Sequence, residues 1–214
     1  MKVVATPAWF AATNAYLVFD PQDRVGVLVD IPPDPDLVGQ VVLDHKVTVG
    51  AVLLTHGHVD HAGGAGEFVS RHGSEVYVHP DDDFLTLHPK EQLRQIFGTE
   101  PPGSYEVPDK LTDLEDRQVL DLAGFRFETR HTPGHTPGHC CFYVAAEGTL
   151  FSGDQLFAGS VGRTDLPGGS HTQLLESMAA SVLSLDDGVR VLPGHGPETS
   201  IGRERKTNPF IQGL

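Results

Sequence analysis

The sequence contains little cysteine, and its two cysteines cannot build a disulfide framework. They are adjacent in the chain, as Cys140 and Cys141. Neighbouring side chains of a strand point to opposite faces, so a bridge between them would be strained. We therefore interpret both as packing residues, since free cysteine is among the most buried residue types. A chain without disulfides fits a reducing compartment.

Positive charge is also scarce. The chain has 15 Lys and Arg residues against 29 Asp and Glu residues, which gives a net charge of −14. A nucleic-acid partner needs a basic face, and an anionic membrane surface attracts basic segments. The composition therefore excludes both partners and leaves a small-molecule substrate as the expectation.

Long apolar runs are missing as well. No stretch of about 18 apolar residues occurs, so no transmembrane helix is predicted. The first residues of the chain lack the apolar core of a signal peptide, and we expect a cytoplasmic protein. A length of 214 residues with 39% hydrophobic residues predicts one domain over residues 1–214, as a monomer or a small homo-oligomer.

Hydrophobic periodicity predicts strands that alternate with a few helices. Strands are predicted at 2–5, 15–19, 25–30, 49–54, 75–79, 117–122, 125–129, 140–145, 149–154 and 189–192. Helices are predicted at 37–45, 62–72 and 172–185. The polar stretch 81–97 is helix-permissive, and 98–110 is predicted to be a loop that can cover a substrate.

The most informative stretch is Thr-His-Gly-His-Val-Asp-His-Ala-Gly-Gly at 55–64. It places His56, His58, Asp60 and His61 directly after the apolar run 49–54. Open α/β folds bind ligands at the edge where such strands end. Repulsion and desolvation would penalise this density of ligand groups unless a cation were bound. Imidazole and carboxylate without thiolate suit zinc, iron or manganese.

Later strand ends supply the same residue types. His135, Asp154 and His195 each lie in a turn rich in glycine or proline. Such turns project a side chain from a rigid scaffold into a shared pocket. Asp30 also ends an apolar run, and two roles stay open for it: a hydrogen-bond acceptor behind the site, or a surface turn residue.

The order of these elements resembles the metallo-β-lactamase superfamily. It runs from His-x-His-x-Asp-His through Thr-Pro-Gly-His-Thr-Pro-Gly and Ser-Gly-Asp to Leu-Pro-Gly-His-Gly, over nearly the whole chain. The resemblance implies the α/β (α+β) class and an αββα four-layer sandwich. In that fold two mixed β-sheets face each other, helices flank them, and metal ions lie at one edge.

The resemblance also implies two divalent metal ions, zinc or alternatively iron or manganese. Their implied ligands are His56, His58 and His135 for one ion, Asp60, His61 and His195 for the other, and Asp154 as a bridge. Two such ions can hold a shared hydroxide. Asp60 would orient it, with later protonation of the leaving group as a second role left open, so Asp60 and Asp154 are the predicted catalytic residues. In the loop around His135, His131 and His139 are alternatives, and the superfamily pattern selects His135.

Two more stretches, 157–165 and 204–210, resemble short single-domain glyoxalase II-like hydrolases. These act on hydroxyacyl-glutathione thioesters, so a glutathione or other thiol thioester is the implied substrate, without a separate C-terminal glutathione-binding helical domain. The candidate substrate-binding residues are His79, Arg163, Lys206 and Asn208. An ion pair between Arg163 and Asp165 is the alternative for that arginine, and docking of the C-terminus is the alternative for the last two residues.

Three other functions stay open. A persulfide dioxygenase of the same superfamily would use one iron on His56, His135 and Asp154. A lactonase or β-lactamase would direct the same hydroxide at a cyclic ester or amide. A non-catalytic metal-binding module is the third possibility.

Overall fold

The computed structural model describes residues 1–214, which form two large sheets and seven α-helices. The strands are β1 Lys2–Ala8, β2 Thr13–Phe19, β3 Val25–Val29, β4 Thr48–Leu53, β5 Glu75–Val78, β6 Thr112–Asp113, β7 Val119–Leu122, β8 Phe125–His131, β9 Cys140–Val144, β10 Thr149–Gly153, β11 Leu156–Phe157, β12 Ser160–Val161, β13 Arg190–Pro193 and β14 Thr199–Ser200. The helices are α1 Pro35–His45, α2 Val59–Ala62, α3 Ala65–His72, α4 Asp83–Thr86, α5 Pro89–Phe97, α6 His171–Ser177 and α7 Ile201–Thr207.

Both large sheets are mixed. The first has the order β1-β2-β3-β4-β5-β6, with antiparallel pairs up to β3 and parallel pairs beyond it. The second has the order β14-β13-β10-β9-β8-β7, in which only β10 and β13 are parallel. Strands β11 and β12 form a separate two-stranded ribbon.

Three apolar clusters separate four layers of structure. The central cluster joins the facing sides of the sheets, with Val29 and Leu53 from the first sheet and Phe142 and Phe151 from the second. A second cluster packs α1 and α3 on the outer side of the first sheet. A third packs α6 and the segment after it on the second sheet. The predicted αββα arrangement of two mixed sheets and flanking helices is confirmed.

The two adjacent cysteines illustrate this layering. Cys140 belongs to the central cluster, whereas Cys141 belongs to the cluster beneath α6. Both are buried free thiols, as the alternation of side chains along a strand predicts.

Two predicted helices are interrupted. The stretch 62–72 is divided, because α2 ends at Ala62 and α3 begins at Ala65. The stretch 172–185 begins as α6 and continues as a π-helical segment, Met178–Val182. Residues 98–110 contain no helix or strand, as predicted. None of the helices combines the length and apolar character that a membrane span requires.

Strand direction brings the functional loops to one edge. Strands β3, β4, β10 and β13 all run towards that edge, and cross-links hold their loops together there. The Cys140 backbone N–H donates to Thr55 O at 2.7 Å, and the Asn14 N–H donates to Gly194 O at 2.7 Å. Loops of the two sheets are therefore fixed relative to each other.

The central cluster predicts where truncation is costly. Phe151 is fully buried and its ring contacts that of Tyr16 edge-on, with centroids 5.5 Å apart. Phe151→Ala should lower the free energy of unfolding by about 3–5 kcal/mol, because the surrounding sheets cannot collapse onto the cavity. Denaturant unfolding measures this. Phe210→Ala, at a 52% exposed position, is the control. Equal losses in the two variants would contradict this account of the core.

Candidate metal centre

Three imidazoles converge in a buried group. His58 Nδ1 lies 2.9 Å from His135 Nε2 and 3.1 Å from His56 Nε2, and the last two atoms are 3.2 Å apart. The loop after β4 supplies the first two histidines, and the loop between β8 and β9 supplies His135. Three ring nitrogens so close together present ligand atoms to one point.

A second group forms beside the first. His61 Nε2 lies 3.3 Å from His195 Nε2, and His195 Nε2 lies 3.2 Å from Asp60 Oδ2. His61 is fully buried, whereas Asp60 and His195 are half-buried and line an open cavity. The short helix α2 places Asp60 and His61 one after the other, and the turn after β13 supplies His195.

Asp154 lies between the two groups. Its Oδ2 is 3.5 Å from His135 Nε2 and 3.6 Å from His195 Nε2, and its Oδ1 is 3.3 Å from His61 Nε2. It follows Gly153, the last residue of β10. One carboxylate therefore reaches ligand atoms of both groups.

Hydrogen bonds behind the histidines fix which ring nitrogen faces the centre. His135 Nδ1 donates to Arg163 O at 2.7 Å, and His61 Nδ1 donates to Asp30 Oδ2 at 2.8 Å. Thr55 Oγ1 gives its hydrogen to Asp30 at 2.8 Å, so it accepts from His56 Nδ1 at 3.0 Å. In each ring Nε2 is left to bind at the centre, which is the usual arrangement of metal-binding histidines.

The role of Asp30 is thereby resolved in favour of an acceptor behind the site. Its side chain is almost fully buried, and its oxygens also accept from the Thr55 backbone N–H at 2.7 Å. Its backbone has φ of 60°, a left-handed conformation that non-glycine residues adopt at a cost. That strain is retained at the strand end where the carboxylate holds His61.

The same reasoning separates the three histidines of the loop between β8 and β9. His139 Nε2 accepts from the Asp154 backbone N–H at 3.0 Å, and its Nδ1 bonds Thr132 Oγ1 at 2.8 Å. His131 Nε2 donates to Pro137 O at 2.8 Å. Only His135 directs a free ring nitrogen into the cluster.

Charges within the cluster follow from burial and neighbours. Burial, followed by the nearby imidazoles, lowers the pKa of His58 to about 3 and that of His56 well below its usual range. Burial also lowers the pKa of His61, but the carboxylates of Asp154 and Asp60 outweigh it and raise that pKa well above its usual range.

The two carboxylates of the cluster stay ionised. Burial raises their pKa values, but His61 holds those of Asp60 and Asp154 far below the usual range, with help from His195. The cluster therefore combines the neutral imidazoles of His56 and His58 with two carboxylates, which favour a proton on His61.

The donor set fits a metal ion. Asp154 Oδ1 is buried and has no hydrogen-bond donor, although an unsatisfied buried carboxylate oxygen is costly. Imidazole nitrogens and carboxylate oxygens without thiolate suit zinc, iron or manganese. The ligand atoms of the cluster lie close enough to be shared by one ion within each group. The His and Asp clusters are thus suited to binding metal.

A buried carboxylate that the sequence analysis missed joins the two histidine loops. Asp82 Oδ2 accepts from the Gly57 N–H at 2.8 Å and from Thr136 Oγ1 at 2.7 Å, and its Oδ1 accepts from the Gly138 N–H at 2.6 Å. A side chain at Gly57 or Gly138 would collide with the Asp82 segment. Asp82 thereby sets the position of both loops that form the three-imidazole group.

Two other supporting residues also went unpredicted. Gln92 on α5 donates to Gly57 O at 2.9 Å and accepts from the Val59 N–H at 3.1 Å. Thr13, at the start of β2, donates to Asp60 Oδ2 at 3.0 Å. Each is a single polar residue within a segment of ordinary composition, so no local pattern marks it.

A cavity of about 430 Å³ opens onto the cluster. His58, Asp60, His135, Asp154 and His195 form its polar floor. Its remaining walls contain apolar side chains and Arg163. The site is therefore accessible to a small molecule on the side where the ligand groups converge.

The candidate substrate-binding residues have different positions. Arg163 lines the cavity, but its guanidinium donates to Asp165 from Nε at 2.7 Å and from Nη2 at 2.8 Å. His79 does not line the cavity, and its ring stacks on His131 with centroids 4.1 Å apart. This stacking turns His79 to the neighbouring loop, and a role in substrate binding stays a prediction.

The C-terminal candidates also lie outside the cavity. Lys206 is exposed on α7 and does not line the cavity. Asn208 is fully buried, and its amide donates to Ser160 O at 2.9 Å and to Glu204 Oε2 at 3.0 Å. These bonds hold the C-terminal segment against the β11–β12 ribbon, as the docking alternative predicts for Asn208.

Comparisons with known proteins agree with this geometry. The family model described as "Metallo-beta-lactamase superfamily" matches residues 8–195. The hydroxyacylglutathione hydrolase GloC of Haemophilus influenzae is 32% identical over 211 residues, covering 99% of this chain and 98% of that protein.

Two solved structures extend the comparison. The crystal structure of BLEG-1 B3 metallo-beta-lactamase matches with a TM-score of 0.90 and 35% identity, covering 99% of this chain and 100% of the other. That of TTHA1623 in a di-iron-bound form matches with a TM-score of 0.87 and 38% identity, covering 97% and 100%. The resemblance indicated by the motif order is confirmed.

The position of Asp82 predicts an effect on metal affinity without a change of ligand. Asp82→Asn replaces one acceptor oxygen by a donor, which opposes either the Gly138 N–H or the Gly57 N–H together with the Thr136 hydroxyl. Affinity for zinc should fall by about 10–100-fold, the range usual for residues behind metal ligands. Competition with a chromophoric chelator measures it. Asp81→Asn, at the exposed neighbouring position, is the matched control. Unchanged zinc affinity in the Asp82 variant would refute the positioning role.

Proposed function

Because the chain belongs to the metallo-beta-lactamase superfamily, we propose that it is a metal-dependent hydrolase of thioesters, of the hydroxyacylglutathione hydrolase (glyoxalase II-like) kind. The observation that carries the proposal is the meeting of two ligand groups at Asp154. The name of the GloC relative supports the substrate class. We further propose that residues 1–214 act as one domain, since both sheets contribute to one central core.

We assign the ligands by group. His56, His58 and His135 would hold one divalent cation, Asp60, His61 and His195 would hold a second, and Asp154 would be shared between them. When bound, two such cations supply Lewis acidity and lower the pKa of a water molecule towards neutrality. Zinc is the first candidate, and the di-iron form of TTHA1623 supports iron as the alternative.

The residues around the cations determine how the water molecule is held. Asp60 is fixed by the hydrogen bond from Thr13 Oγ1 at 3.0 Å and lies at the cavity. Since His61 keeps its pKa low against the effect of burial, Asp60 stays a carboxylate and accepts hydrogen bonds. It is therefore suited to orienting the attacking water molecule rather than to donating a proton.

Few side chains of the cavity are left to protonate a leaving group, and this favours thioesters over esters and amides as substrates. Every polar residue of the cavity except Arg163 is assigned to a cation. The arginine guanidinium cannot act as a general acid, because its pKa is too high. A thiolate leaves without protonation at neutral pH far more readily than an alkoxide or an amide nitrogen, since a thiol has a pKa of about 8.5.

A β-lactamase activity is the second candidate. The similarity to BLEG-1, whose structure is described as a B3 metallo-beta-lactamase, favours it. Hydrolysis of the lactam amide would require the leaving nitrogen to receive a proton, and the proton would come from a group at the cavity floor. A persulfide dioxygenase, in contrast, would use only His56, His135 and Asp154. It would leave the group around His61 without a role.

The test compares three reactions with the purified, metal-loaded protein. We expect rapid loss of the thioester band of lactoyl-glutathione, no oxygen uptake on glutathione persulfide, and slow or no opening of a chromogenic β-lactam. Oxygen uptake with an inert thioester would move the protein to the one-iron dioxygenase class. Faster opening of the β-lactam than of the thioester would establish the second candidate.

The bridging role assigned to Asp154 predicts a double loss. Asp154→Ala should reduce bound metal and lower kcat for the thioester by about 10³-fold or more, because both cation sites lose a ligand. Metal analysis and thioester hydrolysis measure the two effects. His131→Ala is the control within the neighbouring loop, since its ring faces Pro137 O. Full metal content and full activity in the Asp154 variant would disprove the bridge.

A further inference from the structure

The walls of the cavity differ sharply from its floor. Beyond the residues assigned to metal, the walls carry apolar side chains from three parts of the chain. The turn after β1 supplies Phe10, α5 supplies Ile96 and Phe97, and the segment 157–166 supplies Phe157, Val161 and Leu166. A ligand that reaches the histidine and aspartate side chains of the floor therefore passes between apolar surfaces.

The one positively charged side chain assigned to the walls, Arg163, is already paired with Asp165. Both bonds from the Arg163 guanidinium to Asp165 are short, and they use the side of the fork that binds a carboxylate in bidentate fashion. The pair is exposed to solvent at the cavity rim. No other lysine or arginine lines the cavity. A substrate carboxylate would have to displace Asp165 to find a partner.

The aromatic wall lies on a turn with a strained backbone, and contacts of its side chains hold that turn in place. Trp9 and Ala12, which flank Phe10 and Ala11, have φ of 58° and 54°. Strain of this kind persists only where the surroundings enforce it, and it is frequent at functional sites. Here Trp9 Nε1 donates to Pro102 O at 2.8 Å, and the Phe10 ring meets the Phe97 ring edge-on with centroids 5.3 Å apart.

Two aromatic rings beside this turn, those of Phe10 and Phe97, are partly exposed to solvent. Phe10 is 59% exposed and Phe97 is 39% exposed, although both lie at the mouth of the cavity. Burial of such a ring by a ligand removes apolar surface from water and is favourable. The exposed rings thus form a binding surface for an apolar group that extends from the cations towards solvent.

From these walls we propose that the substrate is a thioester whose apolar acyl group carries no carboxylate and packs on Phe10 and Phe97. This inference rests on the proposed thioester hydrolysis, and it replaces the hydroxyacyl-glutathione substrate of the GloC relative by a thioester with an apolar acyl group. The strongly acidic chain also disfavours an anionic substituent at long range. Glutathione as the thiol carrier would bring two carboxylates to a cavity whose arginine is occupied.

The test uses a series of thioesters on one uncharged carrier. Acetyl, butanoyl and hexanoyl thioesters of N-acetylcysteamine are hydrolysed by the metal-loaded protein, beside the same acyl groups on glutathione. We expect kcat/KM to rise about threefold for each added methylene, as each one is buried against the rings. The glutathione series should show no higher kcat/KM than the uncharged series.

Substitutions in the cavity walls test which side chains cause the dependence of kcat/KM on acyl chain length. Phe10→Ser should raise KM for the hexanoyl thioester about tenfold and KM for the acetyl thioester far less, because it removes only apolar contact. Phe210→Ser is the matched control, since Phe210 is exposed to a similar extent and does not line the cavity. Arg163→Gln should lower kcat/KM no more for the glutathione series than for the uncharged series, because the guanidinium is already paired with Asp165.

A binding measurement tests apolar recognition of the acyl group separately from thioester hydrolysis. Calorimetry of S-hexyl-N-acetylcysteamine, a thioether that cannot be hydrolysed, should show tighter binding than the S-ethyl compound, and Phe10→Ser should abolish the difference. If this holds but no thioester is hydrolysed, the proposed function fails and apolar recognition stands. If thioesters are hydrolysed without any effect of chain length, or glutathione thioesters are preferred through Arg163, the inference is overturned and the proposed function stands.

Discussion

The close approach of imidazole nitrogens and carboxylate oxygens at one sheet edge is the constraint on which the rest of this structure depends. His58 Nδ1 and His135 Nε2 are separated by 2.9 Å and belong to loops on different sheets. Side chains that would repel one another without a cation stay together only if their loops cannot move apart. The cross-links between the sheets, such as that from the Cys140 N–H to Thr55 O, supply this restraint.

Buried acceptors behind the cluster do the positioning. Asp30 holds His61 and the start of the histidine loop, and Asp82 holds the loops of His58 and His135 from the opposite side. Burial raises the pKa of Asp82, and hydrogen bonds from Thr136 and two backbone N–H groups counteract it. A buried carboxylate that accepts three hydrogen bonds costs little to retain and is costly to truncate, because its donors would then be left unpaired.

Sequence alone predicted the fold class and the residues that converge, and missed what supports them. The cluster could be predicted from the sequence because its residues recur after apolar runs in a fixed order, from His56 to His195. Asp82 and Gln92 act through long-range contacts with Gly57, and nothing near them in sequence marks those contacts. His79 and Asn208 looked available for substrate because they end or follow regular elements. Tertiary packing commits His79 to stacking on His131, and Asn208 to hydrogen bonds with Ser160 and Glu204.

The same fixed loops determine which leaving group the site can serve. Since the carboxylates of the floor are held ionised by neighbouring imidazoles, they are poor proton donors at neutral pH. The arginine of the cavity, Arg163, does not give up its proton. A site of this kind is effective where the leaving group departs as a stable anion, and it gains selectivity from its walls rather than from acid catalysis. The strained turn that presents Phe10 is therefore consistent with a hydrolase that recognises its substrate by apolar contact and leaves proton transfer to solvent.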